Sequence, residues 1–437
     1  MNRSNEEILA ARKKHFIAPA VHMFKKPLQL VRAKDCYVYD EEGREYLDCI
    51  GGIVSISAGH NHPKIKERLL KMLHEDEIQH TTVFFLNHHS SDLAQELVKE
   101  TPNPSIDRVF FTNSGSEANE TAFMAARHAT GETTIVNLRH GYHGGTSGTL
   151  AACGQHTWRF RSQPVSGTVS AAAPYCYRCP YGKSQSSCAL ECAKDVEATI
   201  QTATHGKIAG MIVEPVMGVG GFIDPPKEYF GEVTKIVHNY GGKYISDEVQ
   251  TGAGRCGETF LLSKELGIDC DMVTMAKGFG NGAAIGACMM KSDISDSMSG
   301  KFFFNTFGGD PYQTAQAKAT MDVIREEKLI SNSKAMGAYL KDGMNQLAKK
   351  YSIIGDVRGR GLLVGMEFVK DRTSKEHATA ETAEFMEICR DKGLLIGKGG
   401  LKGNVVRLAP PMTITKAQCD KVLSVMDEAL SKVSPKI

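Results

Sequence analysis

Three short apolar runs in the middle of this chain each close on an ionisable residue. GMIVE ends at Glu214, KYISD at Asp247, and DMVTMAK at Lys277. The closures fall roughly 30 residues apart, about the length of one βαβ unit. RVFFT and TTIVNL precede them, and helical patterns separate several of the runs. This rhythm requires a mostly parallel sheet with helices on both faces. Ligands bind beyond the carboxyl ends of the strands in such a sheet, so all three groups are expected on one edge. One strand-end charge merely marks where the chain meets water; three in consecutive units point to a site.

The residues around these closures suggest the chemistry. Lys277 lies in MAKGFGNG, among apolar residues and glycines. Poor hydration there lowers an amine's pKa and frees it as a nucleophile. A strand-end Asp beside such a lysine is what pyridoxal 5'-phosphate requires. The lysine forms the Schiff base, and Asp247 keeps the ring nitrogen protonated so that the ring draws off electrons. A phosphate cradle is also present in FFTNSGSEANETAF, read as strand, tight turn and helix. The helix start offers free N–H groups and a positive dipole end, and Ser114 and Ser116 add hydroxyls around Gly115. Ser and Asn are also ordinary helix caps, so this motif alone leaves both readings open.

Taken in order, the motifs resemble those of class III (subgroup II, ω-type) pyridoxal-phosphate aminotransferases. They include Gly43 to Pro63, NSGSEAN at 113–119, GYHG at 141–144, EPV at 214–216, DEVQTGAGR at 247–255, AKGFGNG at 276–282, NTFGG at 305–309 and RLAPP at 407–411. The resemblance runs nearly end to end and implies an α/β, fold type I transferase. Its large domain would carry a mostly parallel seven-stranded sheet beside a smaller α+β domain. It implies Lys277 and Asp247 as catalytic residues, with Lys277 also shuttling a proton. Val249 would pack under the cofactor ring, Tyr142 would stack above it, and Gln250 would lie near its phenolic oxygen. Gly115 and Ser116 would hold the phosphate, and Thr306 would reach the phosphate of a neighbouring subunit. The last role implies a homodimer with shared active sites, with the step to a tetramer left open. His143 either touches the cofactor or orders its loop. Glu214 and Arg407 would form a pair that opens when a substrate carboxylate needs the guanidinium. The activity implied is ping-pong exchange of an amino group between a small amino acid or ω-/β-type amine and an α-keto acid such as pyruvate, glyoxylate or 2-oxoglutarate. A lyase acting on small amino-phosphonates or phospho-amines, or an amino-acid racemase, is the alternative on the same scaffold.

The organisation follows from patterning. Residues 1–48 read as an arm and a β-hairpin, CYVYDEEGREYLDC, joining the small domain. The large domain is expected over 49–310 and the small one over 311–437. SSDLAQELVKET reads as a capped helix start. Phe24 to Pro27, an Ile53-Val54 strand and Phe84-Phe85 are expected to line the pocket. The 52 Lys+Arg against 50 Asp+Glu exclude a protein that works by neutralising nucleic-acid phosphates. No apolar run suits a membrane span, and the N-terminus lacks a secretory h-region, so a cytoplasmic protein is expected. PYCYRCPYGKSQSSCALECA departs from the common pattern. Cys176, Cys179, Cys188 and Cys192 either hold a structural zinc ion or pack as small apolar residues. Neither role belongs to the catalytic set.

Overall fold

The computed structural model describes residues 3–161 and 167–434, so the outermost ends of the expected arm and small domain lie outside it. After an N-terminal helix, Asn5–His15, three antiparallel strands follow: β1 (Leu30–Lys34), β2 (Tyr37–Asp40) and β3 (Glu45–Asp48). The turn between β2 and β3 carries Gly43 at φ 81°, as the hairpin pattern requires.

Seven strands build the large sheet: β4 (Ile106–Thr112), β5 (Ile135–Leu138), β6 (Thr168–Ala171), β7 (Gly210–Val213), β8 (Lys243–Asp247), β9 (Met272–Met275) and β10 (Gly286–Lys291). Their order is β4-β10-β9-β8-β7-β5-β6, and only β10 runs against its neighbours. β5, β7 and β9 are buried along their whole length, which explains why they read as continuous apolar runs rather than alternating ones. The chain passes from β4 to β5 across the width of the sheet. Carboxyl ends of β4, β5, β7, β8 and β9 therefore surround one crevice. Five strands are evident in the sequence; β6 and β10 are not.

Beyond the helices Pro311–Glu326 and Leu329–Lys350 lie β11 (Ile354–Arg360), β12 (Leu363–Phe368), β13 (Leu394–Leu395), β14 (Gly397–Gly399) and β15 (Val405–Leu408). A second sheet has the order β11-β12-β15-β14, while β13 pairs in parallel with β3 and ties the N-terminal strands to this region. One continuous apolar cluster runs through both parts. Two local expectations change. The helix expected to start among the serines begins at His88, capped by Asn87, because the Asn side chain accepts from His89 N. Ile53 and Val54 form no strand; they lie in a tight irregular turn, both with positive φ. No helix among the described residues is long and apolar enough to cross a membrane.

Candidate active site

Lys277 follows β9 with its own φ at 52°, a left-handed conformation uncommon for a side-chain-bearing residue and typical of constrained functional positions. Its amine enters a cavity of about 500 Å³ shared with Asp247, Glu214 and Arg407. Removal from water lowers its pKa, against the opposing pull of Asp247 and Glu214. Asp247 is buried at the end of β8 and is fully engaged. Its Oδ2 accepts from Asn119 Nδ2 at 2.9 Å and lies 2.7 Å from His143 Nδ1, while Oδ1 accepts from Val249 N at 3.1 Å. A carboxylate only accepts, so His143 donates through Nδ1. Asn119 Oδ1 in turn accepts from Thr274 Oγ1 at 2.6 Å. The chain's own structure thus assigns His143 to Asp247. Asn119 and Thr274 complete this network, yet sequence reasoning passed over both. The signal was there: Asn119 closes NSGSEAN, and Thr274 is the one polar residue in the MVTM strand.

Strand, tight turn and helix follow one another here as expected, but the serine hydroxyls are engaged within the protein. Helix Gly115–Thr130 starts at the end of β4, and Ser114 caps it by accepting from Glu117 N at 3.2 Å. That hydroxyl is occupied by the cap. Ser116 Oγ accepts from Gly145 N at 3.0 Å, joining the cradle to the GYHG turn. A Cβ on Gly115 would come within 2.9 Å of Val249, so only glycine lets the helix start approach that side chain. Val249, Gln250 and Tyr142 all line the cavity. Gln250 is buried and its Oε1 has no partner. Trp158 also lines it, its ring centroid 4.9 Å from that of Tyr142. Nothing in the local pattern had marked this residue. Thr306 is exposed and lies outside this chain's own cavity. Ile53 reaches the cavity, whereas Phe84 and Phe85 do not; both are exposed, and Phe84 meets Phe304 at 5.0 Å. Phe24 is buried under the Arg390 guanidinium, away from the site.

Glu214 and Arg407 share the cavity without forming the expected direct pair. Glu214 accepts from Tyr142 N at 3.0 Å and Gly218 N at 2.8 Å. Arg407 donates from Nη1 to Gly218 O at 3.0 Å and lies 4.9 Å over the Phe222 ring, and its Nε has no partner. Backbone groups of one loop hold the two side chains apart. Burial moves both: the Glu214 carboxyl rises to about 7, and the Arg407 guanidinium falls to about 10 yet stays charged at neutral pH.

The four clustered cysteines line a different and larger cavity, about 840 Å³, beneath the excursion that carries them. All are free thiols, and no three of their sulfurs lie within 4.8 Å of one another. Among the described residues, Glu77, His88 and His89 do reach that spacing. Arg68, however, packs on the same His89 and lies 3.8 Å from Glu77, which opposes a cation there.

A half-buried lysine whose amine is held below its usual pKa, a networked strand-end aspartate and a helix start around one cavity define a pyridoxal-phosphate enzyme. The residues present fit that cofactor. Gln250, whose Oε1 has no partner, and Gly115 at the helix start both line the cavity it would fill. The class-III aminotransferase family model matches residues 17–430, and the chain belongs to that family of pyridoxal-phosphate-dependent enzymes. It is 41% identical over 429 residues to alanine–glyoxylate aminotransferase 2 homolog 2, mitochondrial, of Arabidopsis thaliana, covering 98% of this chain and 88% of that protein. A leucine/methionine racemase of Thermococcus litoralis is 32% identical over 412 residues, with 93% and 91% covered. An amine transaminase from an uncultivated Pseudomonas species, solved in its PLP-bound form, superposes with a TM-score of 0.89 at 28% identity, covering 96% of this chain and 99% of that one.

Proposed function

We propose that this aminotransferase moves the amino group of a small amino acid or ω-/β-type amine onto an α-keto acid, in two half-reactions at one site. The observation that carries this reading is the meeting of Lys277, Asp247, Glu214 and Arg407 in a single cavity. Bound pyridoxal phosphate supplies an electron sink for breaking a bond at the substrate carbon next to nitrogen. The protein does the rest. Lys277 Nζ would hold the cofactor covalently, and the same amine, once released, would take and return the proton at the reacting carbons. Its lowered pKa suits that task. Asp247, fixed by Asn119 and His143, is the carboxylate that would pair with the ring nitrogen. Backbone N–H groups at Gly115 and Ser116, at the start of a helix, would take the phosphate. Arg407 binds a substrate carboxylate and is already free of Glu214 to do so.

The racemase relative motivates the second reading, in which a proton returns to the carbon it left, on the opposite face. One experiment separates the readings. Yellow holoenzyme is mixed with an amine and no keto acid; the transaminase reading expects loss of the visible band and its return when pyruvate is added. Inversion of the amino acid, or steady ammonia or phosphate release with the band retained, would refute it.

The site is proposed to be shared within a homodimer, Thr306 serving the neighbour. Supporting this are the exposed Phe302, Phe303, Phe304 and Phe307 around Thr306, an apolar surface atypical of a lone chain. Light scattering at twice the chain mass is expected, and a monomer would overturn it. We place the protein in the cytoplasm as a proposal that cell fractionation tests.

A further inference from the structure

Arg407 has no carboxylate to anchor it, and the loop 217–223 supplies the carbonyl and the ring that fix its guanidinium. Met217 and Ile223 pair across the base of that loop at 2.9 and 3.2 Å. Inside it, Gly218 O accepts from Gly221 N, Phe222 N and Arg407 Nη1, and Phe222 supplies the ring beneath the guanidinium. The loop's outer side is gripped by Arg358 of β11, whose Nε donates to Gly221 O at 2.9 Å. Gly221 sits at φ 104°, and a Cβ there would come within 3.1 Å of Arg358 Nη2 and 2.9 Å of Val405, so the grip is close.

Arg358 is itself held by a buried ionic hub. Glu367 on β12 is 1% exposed and takes Arg358 Nη1 at 2.8 Å. The same carboxylate accepts from the Tyr175 hydroxyl and from Arg178 Nε. Arg358 Nη2 donates to the Tyr175 hydroxyl at 3.0 Å, and its guanidinium lies 4.9 Å over the Tyr175 ring. Asp356 accepts from Arg358 Nη1 at 2.7 Å. Burial alone would raise the Glu367 carboxyl, but its cationic and hydroxyl donors outweigh this and keep it ionised. The hub spans the boundary between the sheets, because Tyr175 and Arg178 come from the base of the cysteine excursion. It also reaches the site a second way, since Gly365 on β12 sits directly opposite Arg407 in the β12–β15 ladder.

We infer that Glu367, acting through Arg358 and the loop 217–223, is a positioning residue that aims Arg407 at the substrate carboxylate, with Tyr175 as its support. This rests on the proposed reading of Arg407 as the carboxylate anchor. Glu367 touches neither substrate nor cofactor. Losing its charge leaves Asp356 as the one carboxylate on Arg358, slackens the grip on the loop and lets Arg407 wander, which weakens binding of carboxylates and nothing else.

The test uses the holoenzyme and the Glu367→Gln variant. The KM for pyruvate is expected to rise about tenfold, the size of one lost hydrogen bond to a charged group, while kcat changes less than about twofold. The half-reaction with a carboxylate-free amine, 1-phenylethylamine, should keep its rate and concentration dependence. Trp158, the single tryptophan in the chain, lines the cavity and gives a binding signal without turnover. The midpoint of a propanoate titration of its fluorescence should shift by the same factor as KM. Where Glu367→Gln fails to fold, Tyr175→Phe, which removes one hydroxyl from the hub, should act in the same direction by about threefold. An unchanged pyruvate KM, or an equal loss with pyruvate and with the amine, overturns the inference. Arg407→Met distinguishes the two layers. If it raises the pyruvate KM while Glu367→Gln and Tyr175→Phe do not, only the positioning role falls. If it too leaves that KM unchanged, the carboxylate reading falls and takes the inference with it.

Discussion

Two cavities in this molecule differ in a way that size does not capture. The cavity at the strand ends is about 500 Å³, and the one beneath the cysteine excursion is about 840 Å³. The smaller is ringed by the carboxyl ends of five strands. It gathers a lysine, an aspartate, a glutamate and an arginine, and backbone groups hold the last three in place. Four thiols line the larger, and burial raises that of Cys192 to about 12. A neutral thiol is a poor nucleophile and a poor metal ligand. Chemistry in this fold follows converged, incompletely partnered charge on rigid elements rather than volume.

The contrast breaks first at Lys277 if it breaks at all. Lys277→Ala is expected to lower kcat/KM for amine and keto acid by about four orders of magnitude or more, through loss of both cofactor attachment and proton transfer. The variant should also lose the visible absorbance of the holoenzyme. Retention of that band would remove the lysine from its assigned place. Asp247→Asn keeps the shape but not the charge facing the ring nitrogen. It should cost roughly 10²–10³-fold in kcat, in the range seen when a preorganised electrostatic group is removed. His143 would then lose the carboxylate it donates to, so His143→Asn should show a smaller loss in the same direction.

How much of this was legible in the sequence depends on the distance over which each signal acts. Glu214, Asp247 and Lys277 could be placed because strand period and unit length are local, and topology then brings strand ends together. β10 escaped notice because GACMMK carries no β-branched residue, and β6 because TVSA is short and mixed. The Gly115 cradle was readable, but that Ser114 spends its hydroxyl on the helix cap was settled only by the backbone. The separation of Glu214 from Arg407 depends on Gly218 and Phe222, four and eight residues past the glutamate and remote in sequence from the arginine. Asn119 was inside a quoted motif, but its worth lies in meeting Asp247 across 128 residues. Side-chain networks between remote segments leave no period to read.

A smaller effect sharpens the comparison through pH. Burial raises the Glu214 carboxyl from 4.5 to about 7. Between those values the native state keeps a proton that the unfolded chain has released, so Glu214 lowers stability as pH rises through that window, and the full penalty is present above about 7. Glu214→Gln cannot titrate. Relative to the parent, its stability should improve by about 1–3 kcal/mol on going from pH 4.5 to pH 8, whatever the constant cost of replacing an oxygen that accepts from Tyr142 N or Gly218 N. Urea denaturation at the two pH values measures the difference. An unchanged difference would mean that Glu214 titrates alike in the folded and unfolded chain and that its surroundings are wetter than this cavity.

The smallest effects are expected at the tip of the cysteine excursion, and their smallness is the sharper half of the contrast. The base of the excursion is fastened by Tyr175 and Arg178 to Glu367, and by Lys375, which donates to Tyr177 O at 2.6 Å. The tip bears no such load: Cys188 bonds only its own turn, accepting from Leu190 N at 3.3 Å and facing Glu191. Cys176→Ser, Cys179→Ser and Cys188→Ser should therefore leave kcat/KM within about twofold and stability within about 1 kcal/mol. Cys192 is buried on the helix Glu191–Ala203, so Cys192→Ser should cost more stability, about 1–2 kcal/mol, with the same activity. Iodoacetamide at pH 7.5 with peptide mass spectrometry gives an independent check. The exposed Cys176 should be modified well before Cys192, whose thiol is held protonated, and activity should survive the first modification. An activity loss in the serine variants approaching that of Asp247→Asn would carry the chemistry into the larger cavity. The distinction between volume and converged charge would then no longer separate the two.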